Sequence, residues 1–281
     1  MVTFNGLASR KALCLRLATN AGLAVRGRER CFPQFFAVED GVPASLVAVV
    51  QALYQELPER DASTWCQRFV QAIPLGVDIT PIWSRLAFHI LMNDEDGMGI
   101  FVQRDDQMQG IVTVATLLLE NSQDAQRWDD AAQLAIKGYH RGPDGNRRLD
   151  SKDTRAKLGC DAARVAYCIA RAFANPDAAG EAVKWAPWCY RERTYAELMQ
   201  DVRDETVADD RGMVNVGEAL WNCGKWIRKS DECTGIADKD RIAGYVRYSR
   251  LLINYLHEME TTGWRGAYNR VAIPLRKKLA A

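Results

Sequence analysis

Hydrophobic positions recur at helical spacing along most of the chain. Between Ser122 and Tyr139 they fall at every third or fourth residue, with polar residues on the opposite face, which predicts an amphipathic helix. The same pattern spans Asp153 to Ala174, and Asn175-Pro176 predicts the end of that helix because proline disfavours helical backbone in the residue before it. A third such face runs from Tyr245 to Met259, and Thr262-Gly263 predicts its end.

Further helices are predicted wherever a capping residue or a proline precedes the same spacing, as at Thr80-Pro81. The segment Ile111 to Val114 suits either a helix or a strand, and only Gly99 to Gln103 is predicted to be extended. An α/β fold would need strand segments alternating with the helices, and the sequence lacks them. The pattern therefore predicts an all-α protein of about ten helices, compact or divided into two lobes.

The candidate boundary between two lobes is the segment His140 to Ser151. It concentrates Gly, Pro, Asn and Asp between two well-defined helical patterns, with a Pro-Asp-Gly turn at its centre. We predict an N-terminal lobe at 1–139, a basic loop or linker at 140–151, and a C-terminal lobe at 152–281. A long loop within one domain is the alternative.

Composition excludes several classes of protein. The chain has 281 residues, 48% hydrophobic and 26% charged, with a formal net charge of +1, so it is neither a disordered tail nor a uniformly basic coat protein. No apolar segment is long enough for a membrane span, and Arg16 interrupts the candidate core of a signal peptide. We expect a soluble, cytoplasmic protein.

The small net charge conceals alternating acidic and basic blocks. Residues 137–193 carry 12 basic and 7 acidic side chains, and residues 241–281 carry 8 and 2, whereas 61–136 and 194–240 are acidic. Basic side chains on a Gly-containing loop can follow a phosphate backbone. The predicted nucleic-acid contacts are Arg141, Arg147, Arg148, Lys152, Arg155 and Lys157, with Arg276, Lys277 and Lys278 as a second group.

Two tryptophans lie close together in Trp185-Ala186-Pro187-Trp188, which we interpret as a stiff turn. If they are exposed, Trp185 and Trp188 are predicted contacts with a protein partner, because tryptophan dominates binding hot spots. If they are buried, they are large core residues.

Signals for catalysis are weak. The eight cysteines include no C-x-x-C pair, the three histidines have no metal-ligand spacing, and no phosphate-binding glycine loop occurs. Carboxylate pairs such as Asp129-Asp130 lack a third carboxylate one turn away, so capping or solvated roles are expected. We predict no catalytic residue, no metal and no cofactor. A Cys–His pair such as Cys66 with His89 stays open, since such partners meet only in the fold.

The sequence thus favours a non-catalytic α-helical binding or accessory subunit of a macromolecular complex. It would contact a protein partner and hold a nucleic-acid backbone on its basic surfaces. Two alternatives remain: a helical enzyme with a Mg²⁺-carboxylate or Cys–His site assembled by the fold, and a regulator that blocks a partner protein through its acidic faces.

Overall fold

A computed structural model describes residues 2–21, 40–140, 154–207 and 216–279; within these, the side chains of 19–21, 63, 140, 154–156, 201–207, 216–227 and 260–279 are not described. The described residues form nine α-helices and no strand, so the all-α prediction is confirmed. The helices are α1 (Ala8–Ala21), α2 (Ala44–Glu56), α3 (Glu59–Ala72), α4 (Pro81–Met92), α5 (Asp105–Glu120), α6 (Ala125–His140), α7 (Thr154–Arg171), α8 (Asp177–Val207) and α9 (Val216–Leu279).

Sequence signals explain where several of these helices begin and end. Pro81 is the first residue of α4, as its fixed φ angle favours. The Asp124 carboxylate accepts hydrogen bonds from the backbone N–H groups of Gln126 and Arg127 and so caps α6. At the C-terminus of α5, Asn121 adopts left-handed backbone with φ of 50°, which turns the chain toward α6.

One hydrophobic core joins helices from both sides of residues 140–151. It contains Leu53 of α2, Leu86 of α4, Val165 of α7 and Tyr248 of α9, all fully buried. Helices α6 and α7 pack against each other, as do α2 and α8. The division into lobes at 140–151 stays a prediction, although the described helices that flank this segment share a single core.

Helices α5, α6 and α7 approach one another closely through small residues. A Cβ added at Gly110 of α5 would lie 3.1 Å from the Ala135 Cα atom of α6, and one at Gly159 of α7 would lie 2.6 Å from Gln107 Oε1. The buried Gln107 amide of α5 donates to the Gly138 carbonyl, 3.2 Å away on α6. These contacts hold α7 against its neighbours with little room for larger side chains.

Three local predictions are wrong. Residues Trp185 to Trp188 lie inside α8 rather than in a turn, and Pro187 is accommodated where the backbone of Gly244 on α9 leaves room for its ring. Gly99 to Phe101 are not extended, since Met98–Phe101 forms a 3-10 turn, and extended backbone begins only at Val102. Thr262-Gly263 does not end a helix, because α9 continues to Leu279, and a single glycine inside a helix costs only about 1 kcal/mol.

The contact of α8 with α2 can be tested at Gly180. A Cβ there would lie 2.8 Å from the Ala48 carbonyl oxygen. This oxygen belongs to the backbone of α2, so it can move away only if α2 itself shifts. We expect Gly180→Ala to lower the free energy of unfolding by roughly 1–3 kcal/mol, measured by chemical denaturation.

Gly235→Ala is the matched control. Gly235 is exposed on α9 and a Cβ there meets nothing within 4 Å, so alanine should raise stability by about 0.5–1 kcal/mol through helix propensity. Equal effects of the two substitutions would contradict the close contact between α2 and α8.

Candidate functional site

Three helices bring an arginine between two aromatic side chains. The Arg164 guanidinium of α7 lies 3.6 Å from the centroid of the Trp185 ring on α8 and 5.7 Å from that of Tyr139 on α6. Both aromatic side chains are half-buried. The arrangement follows from the packing, because α7 lies against both α6 and α8.

Arg164 differs from other stacked arginines in its lack of a carboxylate partner among the described residues. Five other arginines lie within 6 Å of an aromatic ring centroid and also pair with a carboxylate: Arg85 with Glu258, Arg191 with Asp238, Arg193 with Glu197, Arg241 with Glu56, and Arg247 with Asp96. A guanidinium stacked by its face keeps the N–H donors of its edge for another acceptor. Arg164 is therefore an oriented cation whose charge no described carboxylate neutralises.

Lys157, Arg164 and Arg171 form a row of cations along α7, which we call the α7 cation row. They are seven residues apart, so they lie on nearly the same side of the helix at intervals of about 10 Å. Lys157 and Arg164 are half-buried and Arg171 is exposed. None of the three pairs with a carboxylate of the described residues, although Asp161 lies between the first two on the same helix.

An apolar cavity of about 310 Å³ lies at the Arg171 end of this row. Its lining includes Trp128 of α6 and Phe173, which follows α7 in a turn. The two rings stack with centroids 5.5 Å apart and planes 14° from parallel. Alanines form most of the remaining wall, and Asp129 and Arg171 supply its charged groups.

The structure describes only part of the predicted nucleic-acid contacts. Arg141, Arg147, Arg148 and Lys152 lie outside the described residues. The backbone of Arg155 lies in α7, and Arg276, Lys277 and Lys278 lie in α9, but their side chains are not described. Lys157 is described and belongs to the α7 cation row. Sequence reasoning missed Arg164 and Arg171, although their spacing of seven from Lys157 is visible in the sequence.

Both predicted partner contacts are half-buried and already held by arginines within the chain. Trp185 is covered by Arg164, and Trp188 lies 5.0 Å from Arg191 and 4.7 Å from Arg241, measured from ring centroid to guanidinium carbon. Neither ring is a fully exposed anchor, and neither is a fully buried core residue. Their contact with a protein partner stays a prediction.

The Cys66 thiol gives no support to the Cys–His nucleophile that the sequence leaves open. Burial raises the pKa of Cys66 to about 12, and burial likewise raises the pKa of Cys168 to about 11. Thiols with pKa values this high are protonated at neutral pH and react poorly as nucleophiles. Within the described residues, no group of three or more His, Cys, Asp or Glu side chains is arranged to hold a metal ion.

His89 instead belongs to a polar network that joins α4 to α9. Its Nε2 atom lies 3.4 Å from Asp96 Oδ1, and the Arg247 guanidinium of α9 donates to Asp96 Oδ2. Tyr190 of α8 donates from its hydroxyl to the Asp96 carbonyl at 2.5 Å and lies 2.8 Å from the Tyr248 hydroxyl. Burial opposes ionisation of Asp96, but the nearby His89 imidazole and the hydrogen-bonded Arg247 guanidinium outweigh it and lower the carboxyl pKa.

Comparison of the chain with protein-family models, with curated proteins and with solved structures finds no match. Among the described residues, no helix has the length and apolar character needed to cross a membrane.

The Asp96 network predicts a pH-dependent contribution to stability. Because the folded state lowers the pKa of Asp96, the contribution is complete above the unfolded pKa of about 3.9 and is lost as pH falls through the folded value. Asp96→Asn should therefore lower the free energy of unfolding at pH 7 by about 1–3 kcal/mol, measured by chemical denaturation. The difference from the unsubstituted protein should shrink below about pH 4.

Asp129→Asn provides the matched control, because Asp129 is exposed and has no hydrogen bond or ion pair within the described residues. Its effect should stay within about 0.5 kcal/mol at both pH values. A loss at Asp96 that is the same at pH 7 and at low pH would show that the carboxylate charge is not what stabilises the network.

Proposed function

We propose that this chain is a non-catalytic binding or accessory subunit that holds a nucleic-acid backbone along the α7 cation row. The observation that carries the proposal is the Arg164 guanidinium, which lies over the Trp185 ring and near the Tyr139 ring without a described carboxylate partner. The proposal includes a cytoplasmic location and a place in a larger complex, both of which the sequence predicts.

The geometry of Arg164 suits a phosphate. Stacking on the Trp185 face restricts the guanidinium to one plane, so little side-chain freedom is lost when its edge binds an anion. Two parallel N–H donors of that edge match two oxygens of a phosphate group. Arg241, which also lies over an aromatic ring, instead donates from Nη1 to the Glu56 carboxylate.

Two further cations share this side of α7. Lys157 and Arg171 lie one heptad before and one heptad after Arg164. The sequence between α6 and α7 also contains Arg141, Arg147, Arg148 and Lys152, which lie outside the described residues. When several cations neutralise phosphates, the counterions bound to the nucleic acid are released, so the affinity falls steeply as the salt concentration rises.

The alternative of a helical enzyme has less support from the described residues. Burial raises the pKa of the Cys66 thiol to about 12, and the Asp96 carboxylate is paired with Arg247 and lies near His89. We therefore favour binding over catalysis.

The test is the affinity of the chain for a fluorescently labelled oligonucleotide, measured by fluorescence polarisation over a range of salt concentrations. Arg164→Gln removes the stacked charge and should weaken binding roughly tenfold at low salt, because a charge-assisted phosphate contact is lost. The slope of log affinity against log salt should also fall by about one.

Arg60→Gln is the matched control, since Arg60 is an exposed arginine on α3, which packs on α1, α2 and α9. It should leave both affinity and salt slope nearly unchanged. Binding that does not depend on salt, no binding at low salt, or equal losses in the two variants would refute the proposal.

A further inference from the structure

We infer that the nucleic acid held on the α7 cation row is single-stranded and that one of its unpaired bases stacks on Phe173 in the adjoining cavity. The inference rests on the proposed function, and it adds the class of nucleic acid and a second point of contact. It is carried by the cavity between α6 and the end of α7, which Arg171 shares with the cation row.

Phe173 offers a fixed aromatic surface to solvent. Its side chain is 40% exposed, an unusual position for a ring of this size, since most of the large aromatic side chains that the structure describes are buried. Stacking on Trp128, which is only 7% exposed, holds the ring from one side. The exposed part of the ring is therefore rigidly oriented before any ligand arrives.

The cavity beside this ring has the size and surface that a flat heteroaromatic group needs. Its volume of about 310 Å³ lies at the lower end of the range for small-ligand sites. Ala132 and Ala170 leave room at its wall, whereas larger side chains would fill it. Stacking of a base on an aromatic ring contributes binding energy that depends little on which of the four bases it is.

Arg171 places a positive charge at the edge of the same cavity. It is exposed, and it has no carboxylate partner within the described residues. A base in the cavity would bring its own phosphate close to Arg171, and the strand would continue toward Arg164 and Lys157. The row is about 21 Å long from Lys157 to Arg171, which corresponds to about six stacked nucleotides at 3.4 Å each.

Asp129 lies on the α6 side of the cavity and has the opposite charge. Its carboxylate repels phosphate, so the backbone is directed to the Arg171 side. The same carboxylate can accept a hydrogen bond from an amino group of the inserted base. Asp129 thus orients the inserted base and keeps the phosphate backbone away from the α6 side of the cavity.

A duplex does not fit this arrangement. Its bases are stacked and paired inside the helix, so none can enter the cavity unless the pair opens at a cost of a few kcal/mol. A single strand already exposes its bases, and recognition of unpaired bases on aromatic side chains is the common mode for such strands.

The experiment compares three labelled probes of one mixed sequence: single-stranded DNA, the DNA duplex, and single-stranded RNA. Affinities are measured by fluorescence polarisation at low salt, after thermal unfolding confirms that each variant is folded. Phe173→Ala should weaken binding of the single strands roughly tenfold and leave the duplex nearly unchanged, because only the single strands lose a stacked base. Phe173→Trp keeps an aromatic face and should retain most of the affinity.

Ile236→Ala is the control for loss of an exposed apolar side chain, since Ile236 is 46% exposed on α9. It should change none of the three affinities. The DNA and RNA probes reveal which sugar the site prefers, and either preference supports the inference provided that the single-strand dependence on Phe173 holds.

The failures of the two proposals are distinguishable. If binding depends on salt and on Arg164, but Phe173→Ala weakens duplex and single strands alike or weakens neither, the base contact is wrong and the proposed function stands. If none of the three probes binds at low salt, the proposed function fails and the base contact fails with it.

Discussion

Close packing of α6, α7 and α8 on small side chains determines where the charged groups of these helices can lie. Ala162, Ala163, Ala166 and Ala170 of α7 are all buried, and Gly138 and Gly159 leave no room for a Cβ without displacing Gln107 or Ala163. The long polar side chains of α7 are therefore confined to the remaining face of the helix. That confinement aligns Lys157, Arg164 and Arg171 and brings Arg164 against aromatic rings of both neighbours.

The charges of the molecule fall into two kinds. Arg85, Arg241 and Arg247 each pair with a carboxylate on a segment distant in sequence. The Asp96 carboxylate is the most buried of these three partners, and it lies near both His89 and Arg247. Arg164 has the same stacked geometry without a described partner, which is why the proposed function depends on it.

The sequence predicted the helices better than it predicted their junctions. The apolar faces of α6, α7 and the middle of α9 are visible in the spacing of residues such as Trp128, Val165 and Tyr248, since burial on one side of a helix leaves a period of 3.6. Pro187 could not be placed from sequence alone, because its position inside α8 depends on Gly244 of another helix.

The candidate site was predictable in part. Lys157 was found from local charge, but the selection of Arg164 needed the positions of Tyr139 and Trp185, which lie on two other helices. Phe173 falls within the helical pattern predicted for Asp153 to Ala174, and only the fold shows that its ring is partly exposed beside a cavity. Charge density along a chain does not reveal which cations are neutralised, because their partners are set by packing.

The most direct measurement of the central claim is photo-cross-linking of the chain to a short single-stranded DNA that carries 4-thiothymidine, followed by mass spectrometry of the linked peptides. The account predicts cross-links within α6, α7 and the turn that contains Phe173, and predicts that they disappear as salt is raised. Cross-links confined to other helices such as α2, α3 or α4, or their absence at low salt, would contradict it.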